Sequence, residues 1–292
     1  MYTAEFAYVR PDDLDGVYSA LDEYADDVKV IAGGQSLLPM MKLRLTTPGV
    51  LVDLAGAQDL HGQWCIQDGV RLGALTTYRQ LQHSPQTLSL LPGLADTLAV
   101  IGDPPVRALG TIGGAVAHGD PTADLPAMLL ALEAVVHLGS ARGTRSLPLQ
   151  DFITGLFSTD LADDEVVIAV DIPQPPSGAG AAYEKFEQPA SHLALCGVAA
   201  VLNLDGHMVT RARLAMTGVA AAPRRLGVVE DALTGTSVSD SALDEVAALA
   251  VEGVEPLEDL HAPALYRLQL LRVATRQALG VAVSRAGAGW AA

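Results

Sequence analysis

The chain has 292 residues, half of them apolar, a formal net charge of −16 and two cysteines. That acid excess leaves no basic footprint for nucleic acid, and charged residues break every apolar run before it reaches the length of a membrane span. Cys65 and Cys196, far apart in the chain, neither frame a disulfide-stapled domain nor supply the four thiolates that an iron–sulfur cluster takes.

Met1 to Phe6 carries neither a basic segment nor an apolar core, so no signal peptide is expected and the cytoplasm is the expected compartment. A first helix is expected over 11–26, with Pro11 and Asp12-Asp13 at its start and Leu14, Val17, Tyr18 and Leu21 on one face. The β-branched run at 28–32 reads as a strand. Gly33-Gly34 then break it, and Ser36 stands where it can cap a following helix whose first turn tolerates Pro39. A strand that passes through glycines into a helix presents unpaired N–H groups, which can hold an anion such as a pyrophosphate. By itself, Gly-Gly after a strand is more often only a turn. Neither G-x-G-x-x-G nor a P-loop lysine is present, since Lys42 and Arg44 come too late. Met40-Met41 with Leu43 and Leu45 is expected to pack beneath this loop, and the run at 50–54 completes a small α/β unit.

From about residue 57 the texture changes. Short strands at 70–74, 135–138 and 166–170, with helices at 78–83 and 125–132 between them, predict an α+β region with a largely antiparallel sheet. Residues 173–180, rich in proline and glycine, read as a boundary. Beyond them, 193–204 and 209–216 are expected to pair around Asp205-Gly206, followed by helices at 224–233, 241–251 and 264–279. In the last helix Leu265, Leu268, Leu271 and Ala278 have core spacing, Arg267, Arg272 and Arg276 lie toward its C-terminal end, and fraying is expected from Ser284.

A second glycine-rich stretch runs from Gly110 to Pro126. Its paired glycines allow close backbone approach to a ligand, Thr111 supplies a hydroxyl, and Asp120 and Asp124 supply acceptors suited to ribose or adenine. Asp124 could equally cap the helix that follows. The seven histidines show no metal spacing, and no serine or cysteine sits in a nucleophile setting.

Together the two stretches resemble the FAD-binding medium subunits of molybdenum hydroxylases, the family of carbon monoxide, nicotine, quinoline and xanthine dehydrogenases. Ala32-Gly33-Gly34-Gln35-Ser36-Leu37-Leu38-Pro39 is similar to that family's first FAD loop. Val106-Arg107, Gly110-Thr111-Ile112-Gly113-Gly114 and Asp120-Pro121 to Asp124-Leu125-Pro126 are similar to its second. The resemblance continues through Phe152 to Gly155, Asp164 to Val167, Tyr183-Glu184-Lys185-Phe186, Pro223-Arg224 and Tyr266-Arg267.

The resemblance implies an α+β fold. A two-subdomain FAD-binding domain of the vanillyl-alcohol oxidase/PCMH type spans 1–175, divided near 56. A C-terminal α+β domain over 176–285 has a three-stranded antiparallel sheet and a helical bundle, and 286–292 form a flexible tail. It also implies one non-covalent FAD. Ala32, Gly33, Gly34, Gln35, Ser36 and Leu37, with Thr111, Ile112, Gly113, Gly114 and Ala115, would wrap the pyrophosphate. Asp120 and Asp124 would serve the ribose or adenine end, Ile101 and Val167 would lie against flavin or adenine faces, and Lys185 would sit near the isoalloxazine ring. A side chain at Gly33 or Gly114 would take space that the diphosphate needs. No residue is expected to act as a catalytic acid or base.

The implied partners are a large subunit with the molybdenum cofactor and a small subunit with [2Fe–2S] clusters, assembled as a dimer of heterotrimers (a heterohexamer). This chain would pass electrons from those clusters to an external acceptor. Gln188 to His192 stands where many members carry an Arg-containing run beside the flavin, which leaves quinone, NAD and oxygen open as acceptors. The alternatives are a self-contained FAD oxidase or reductase and a scaffold without FAD.

Overall fold

In the computed structural model, which describes residues 2–25, 27–91 and 93–286, three layers of secondary structure follow one another along the chain. The first holds β1 (Ala7–Val9), α1 (Leu14–Glu23), β2 (Val28–Ile31), α2 (Leu37–Lys42) and β3 (Val50–Asp53), with β3 central in a parallel sheet of order β1-β3-β2. Helix α1 starts at Leu14 because the Asp13 carboxylate accepts from the Gly16 N–H and caps it. Asp26, the expected last residue of that helix, lies outside the described residues. Strand β1 was not expected from the sequence, since its three mostly exposed residues carry no alternation.

Two expectations near α2 fail. Ser36 occupies the cap position, yet its hydroxyl makes no capping bond, and the helix lasts six residues. It ends in a reversal at Arg44, whose φ is 62°, with Arg44 N–H donating to Met41 O and Leu45 N–H to Met40 O. The reversal turns Leu43 and Leu45 outward, 59% and 70% exposed, while Met41 is buried and Met40 half-buried.

The second layer is an antiparallel sheet of order β4-β5-β10-β6-β7: β4 (Gln63–Ile66), β5 (Gly69–Gly73), β6 (Val135–Ser140), β7 (Gly143–Pro148) and β10 (Val166–Pro173). Between β5 and β6 run α3 (Tyr78–Gln82), α4 (Pro85–Leu90), α5 (Leu94–Val100), α6 (Pro104–Leu109), α7 (Ile112–His118) and α8 (Asp124–Ala131). After β7 come α9 (Leu149–Phe152) and the small hairpin β8 (Ile153–Gly155) and β9 (Ser158–Thr159). Every residue of α8 is buried, as its sequence DLPAMLLA, apolar almost all round, requires.

The third layer explains that burial. Strands β11 (Gly180–Glu187), β12 (Ala194–Asp205) and β13 (Met208–Thr217) form the three long strands expected, and a two-residue β14 (Arg224–Arg225) pairs with β13. Arg224 and Arg225 were expected to open a helix. Their backbones pair with Met216 and Ala215 instead, and α10 (Gly227–Leu233) starts after them. One face of this sheet, with Ala181, Tyr183, Ala199, Val201 and Ala215, joins the hydrophobic core that contains α5 and α8. The other face, with Ala182, Cys196, Val198, Ala200 and Leu214, packs under α10, α11 (Asp240–Ala248) and α12 (Ala264–Arg285). Alternation along each strand therefore feeds two cores from one sheet.

Helix α12 runs past the expected end at Leu279. Arg285 pairs with Asp96 of α5 and donates to Ala181 O at 2.7 Å, which holds the last turn in place of fraying from Ser284. The tail at 287–292 lies outside the described residues. Leu265, assigned to the core face, is 81% exposed. Arg267 sits in the first turns of the helix, away from its C-terminal end, and is buried. Its guanidinium donates to Leu195 O at 2.9 Å, Gly218 O at 2.5 Å and Asp259 Oδ2 at 2.7 Å. Among the described residues no helix is long and apolar enough to cross a membrane.

Three acceptors on one buried guanidinium make Arg267 a structural keystone of the C-terminal region. Arg267→Ala would strand two carbonyls and leave Asp259 without its cation. A loss of about 3 kcal/mol is expected in urea unfolding, only partly recovered by Arg267→Lys because an ammonium lacks the planar fork.

Candidate functional site

The first glycine stretch lies between β2 and α2. Among the described residues none accepts from the N–H groups of Gly33, Gly34, Gln35, Ser36 or Leu37, while the Gln35 side chain folds back to donate to Gly33 O at 3.0 Å. Gly34 has φ 70°, so glycine is required there by conformation. The second stretch is built differently. Thr111 caps α7, its hydroxyl accepting from Gly114 N–H at 3.1 Å. The neighbouring N–H groups are already engaged: Ile112 donates to Thr76 O at 3.0 Å, Gly113 to Ala74 O at 2.9 Å and Ala115 to Thr111 O at 3.1 Å.

The glycines divide the work. A Cβ on Gly33 would collide with the Leu109 carbonyl oxygen and stand 3.0 Å from Gly110 Cα, so this glycine lets the first stretch rest directly on the chain entering the second. A Cβ on Gly113 would lie 2.5 Å from Ala74 Cβ. Outside the helix backbone, a Cβ on Gly114 would meet one atom within 4 Å, the Thr111 hydroxyl that caps α7, at 2.9 Å, so a side chain there must shift that hydroxyl. At Gly33, where the sequence suggested room for a ligand, the space is filled by the neighbouring loop. Unpartnered backbone N–H groups of this kind suit an anion such as a diphosphate.

Other candidates are more committed than expected. Arg107 donates to Ile101 O at 2.8 Å and Gly102 O at 2.9 Å, fixing the turn between α5 and α6. Ile101 is buried and Val167 is 4% exposed, both within the core, so neither offers a free face. The Asp120 carboxylate accepts from Thr122 N–H at 2.8 Å and its hydroxyl at 2.7 Å, which closes a local turn. His118 packs against Phe157, ring centroids 5.2 Å apart.

Asp124 and Lys185, assigned to different parts of an extended dinucleotide, form one ion pair of 2.8 Å with Asp124 6% and Lys185 3% exposed. The second carboxylate oxygen accepts from Tyr183 Oη at 2.7 Å. Both oxygens of Asp124 are therefore engaged within the protein, and the residue sits in the first turn of α8 with Ala123, not itself, at the cap position. Burial pushes its carboxyl up to about 6, against the lowering effect of Lys185 and Tyr183.

Two residues beside these candidates were not assigned to the site from the sequence. Tyr183 stands two positions before Lys185 on β11, so strand alternation puts both on the same face, and that period was the available signal. Tyr78 opens α3 and lies against Gly110, where a Cβ would come 2.7 Å from its ring. Burial, with Asp124 and Asp120 nearby, holds its hydroxyl protonated by raising its pKa. No sequence signal linked it to the loop. Among the described residues no group of three or more histidine, cysteine or acidic side chains is arranged to hold a metal ion.

Comparison with known proteins bears on this geometry. Residues 4–175 match the family model for the FAD binding domain in molybdopterin dehydrogenase, and residues 181–282 match that for the CO dehydrogenase flavoprotein C-terminal domain. The carbon monoxide dehydrogenase medium chain of Afipia carboxidovorans is 36% identical over 98% of this chain and 99% of its own length. The nicotine 6-hydroxylase medium subunit of Paenarthrobacter nicotinovorans is 34% identical over 89% of this chain and 91% of its own. A solved structure of carbon monoxide dehydrogenase from Hydrogenophaga pseudoflava contains a chain that superposes with a TM-score of 0.96 at 36% identity, covering 98% of this chain and 100% of that one.

The buried carboxyl gives a pH signature. A group whose folded pKa, about 6, exceeds its ordinary 3.8 contributes stability that is fully present below 3.8 and lost as pH rises through 6. Asp124→Asn removes that dependence, so the melting temperature of the variant minus that of the parent is expected to rise between pH 4 and pH 6. A flat difference would place the titration elsewhere.

Proposed function

The chain belongs to the family of FAD-binding medium subunits of molybdenum hydroxylases, and on that premise we propose that it is the electron-exit subunit of such an enzyme. In this reading it receives electrons from the [2Fe–2S] clusters of a small partner subunit, after a large molybdenum subunit has oxidised the substrate, and passes them to an external acceptor. The complex is a cytoplasmic dimer of heterotrimers. The observation that carries the reading is the run of unpaired N–H groups at 33–37 beside a second glycine stretch that rests on Gly33.

The bound isoalloxazine supplies the redox chemistry, and the protein supplies binding, orientation and electrostatics. The N–H groups from Gly33 to Leu37 donate to the diphosphate, with Ala32 setting their direction at the end of β2. Thr111, Ile112, Gly113, Gly114 and Ala115 form a floor in which the N–H groups of residues 112–115 are already engaged, so that loop contributes shape more than donors. Arg107 holds Ile101 in place, while Val167 backs the site from the core. Asp120 keeps the exit of the second stretch turned. Asp124 and Lys185 act through the segments they tie together, since their polar atoms are occupied within the protein. None of these residues needs to move a proton.

The two glycines are expected to weigh differently on folding. Gly114→Val is expected to cost about 1–2 kcal/mol, because its Cβ would displace the Thr111 hydroxyl that caps α7, while flavin content, read from visible absorbance per chain, falls at least tenfold. Gly33→Val is expected to cost about 3 kcal/mol or more, because its Cβ meets the Leu109 carbonyl, and to lose flavin as a consequence. Full FAD in a well-folded Gly114→Val protein would refute the site.

Purification of the tagged chain from its native host tests the assembly. Co-purification of molybdenum and iron–sulfur subunits is expected, with native mass giving the stoichiometry. A flavin-loaded chain that emerges alone and turns over a small substrate would replace the proposal with a self-contained oxidase or reductase.

A further inference from the structure

Tyr78 is buried, with 8% of its surface exposed, and its hydroxyl has no hydrogen-bond partner among the described residues. Everything else about the residue is fixed against the second glycine stretch. Its N–H donates to Gly110 O at 3.0 Å, Thr77 before it bridges to Thr111, and its ring edge would stand 2.7 Å from a Cβ on Gly110. Gly110 is also where the first stretch comes to rest, since a Cβ on Gly33 would lie 3.0 Å from Gly110 Cα. Tyr78 therefore touches the junction of the two stretches.

Its hydroxyl shares the bend from Gly110 to Asp124 with two carboxylates. Burial first, then Asp124 and Asp120, raise its pKa, so it keeps its proton and stands as a donor. Neither carboxylate accepts that proton. The oxygens of Asp124 accept from Tyr183 and Lys185, and Asp120 Oδ1 accepts from the Thr122 N–H and hydroxyl. Asp120 Oδ2 has no donor among the described residues. A buried O–H without an acceptor is costly, and such an atom inside a binding site marks a bond that the ligand completes. A donor lacking an acceptor and an acceptor lacking a donor, in one bend, match a hydroxyl, which accepts and donates at once.

We propose that Tyr78 is a ligand-binding residue of the flavin site, its hydroxyl donating to a sugar hydroxyl of FAD that in turn donates to Asp120 Oδ2. The inference rests on the FAD reading above and adds a residue that lies in neither glycine stretch. FAD carries such hydroxyls on its ribityl chain and on its adenosine ribose, and the same pair of bonds would hold either. The unpaired hydroxyl destabilises the flavin-free chain and stabilises the loaded one.

The test compares the full-length chain with Tyr78→Phe, which keeps the ring against Gly110. The melting temperature of the flavin-free variant is expected to equal or exceed that of the parent. Its dissociation constant for FAD, read from flavin fluorescence, is expected to rise about fivefold to tenfold, the scale of one hydrogen bond. Two analogues then locate the partner, one without the ribityl hydroxyls and one without the ribose hydroxyls of its adenosine. The penalty of Tyr78→Phe is expected to persist with one analogue and to vanish with the other, which identifies the half that carries the bonded hydroxyl. The same penalty with FAD and both analogues would overturn the proposal. Unaltered FAD affinity in Tyr78→Phe would overturn it as well, and a lowered flavin-free melting temperature alongside would make the hydroxyl structural. In either case a parent that binds FAD leaves the FAD reading standing, whereas a parent that takes up none brings down both.

Discussion

The carbonyl of Leu109 lies where a side chain on Gly33 would be, and this close approach of two backbones determines most of what surrounds it. The first stretch rests on the entry to the second, and among the described residues its N–H groups have no acceptor. Because the second stretch must meet it, the N–H groups of Ile112 and Gly113 are tied down to the Ala74–Thr76 segment that follows β5. A site of this kind asks for rigidity before it asks for donors, since an anion gains little from amides that must first be ordered.

Local features were legible in the sequence and long-range ones were not. The passage from β2 through Gly33-Gly34 into a helix follows from neighbours in the chain, as does the β12–β13 hairpin around Asp205-Gly206. The Asp124–Lys185 pair spans 61 positions, and nothing local in either residue names the other. Asp124 was singled out from the second glycine stretch and Lys185 through family resemblance, and neither route showed that they neutralise each other. The end of α12 was misplaced for a comparable reason. Gly280 has the character of a helix stop, but Arg285 binds back to Asp96 and Ala181, and that tertiary anchorage outweighs the local preference. Leu43 and Leu45 show the reverse, where apolar character suggested packing and a reversal at Arg44 turned them out.

Several buried polar groups bridge the two regions. Lys185 and Asp124 tie α5 and α8 to β11 and the turn after it, and Thr217 Oγ1 adds bonds to Pro121 O at 2.8 Å and Ala123 O at 2.9 Å. Gly218 N–H reaches Pro121 O at 2.7 Å. The strap at 121–124 that leaves the second glycine stretch is thus held by the edge of the C-terminal sheet. Misalignment of the seam would strand buried polar atoms, each costing about 1–3 kcal/mol, so these bonds specify one docking geometry where apolar contacts alone would tolerate several.

The sheet that feeds two cores also sets an order of assembly. Helix α8 is apolar almost all round, and the strands that cover it lie far downstream, ending near Thr217. During synthesis the FAD-binding region therefore emerges with its central helix uncovered and its strap unsupported, a state with exposed apolar surface that invites chaperone attention. A gene fragment ending at the proline-rich boundary would leave that helix permanently exposed and would be prone to aggregate.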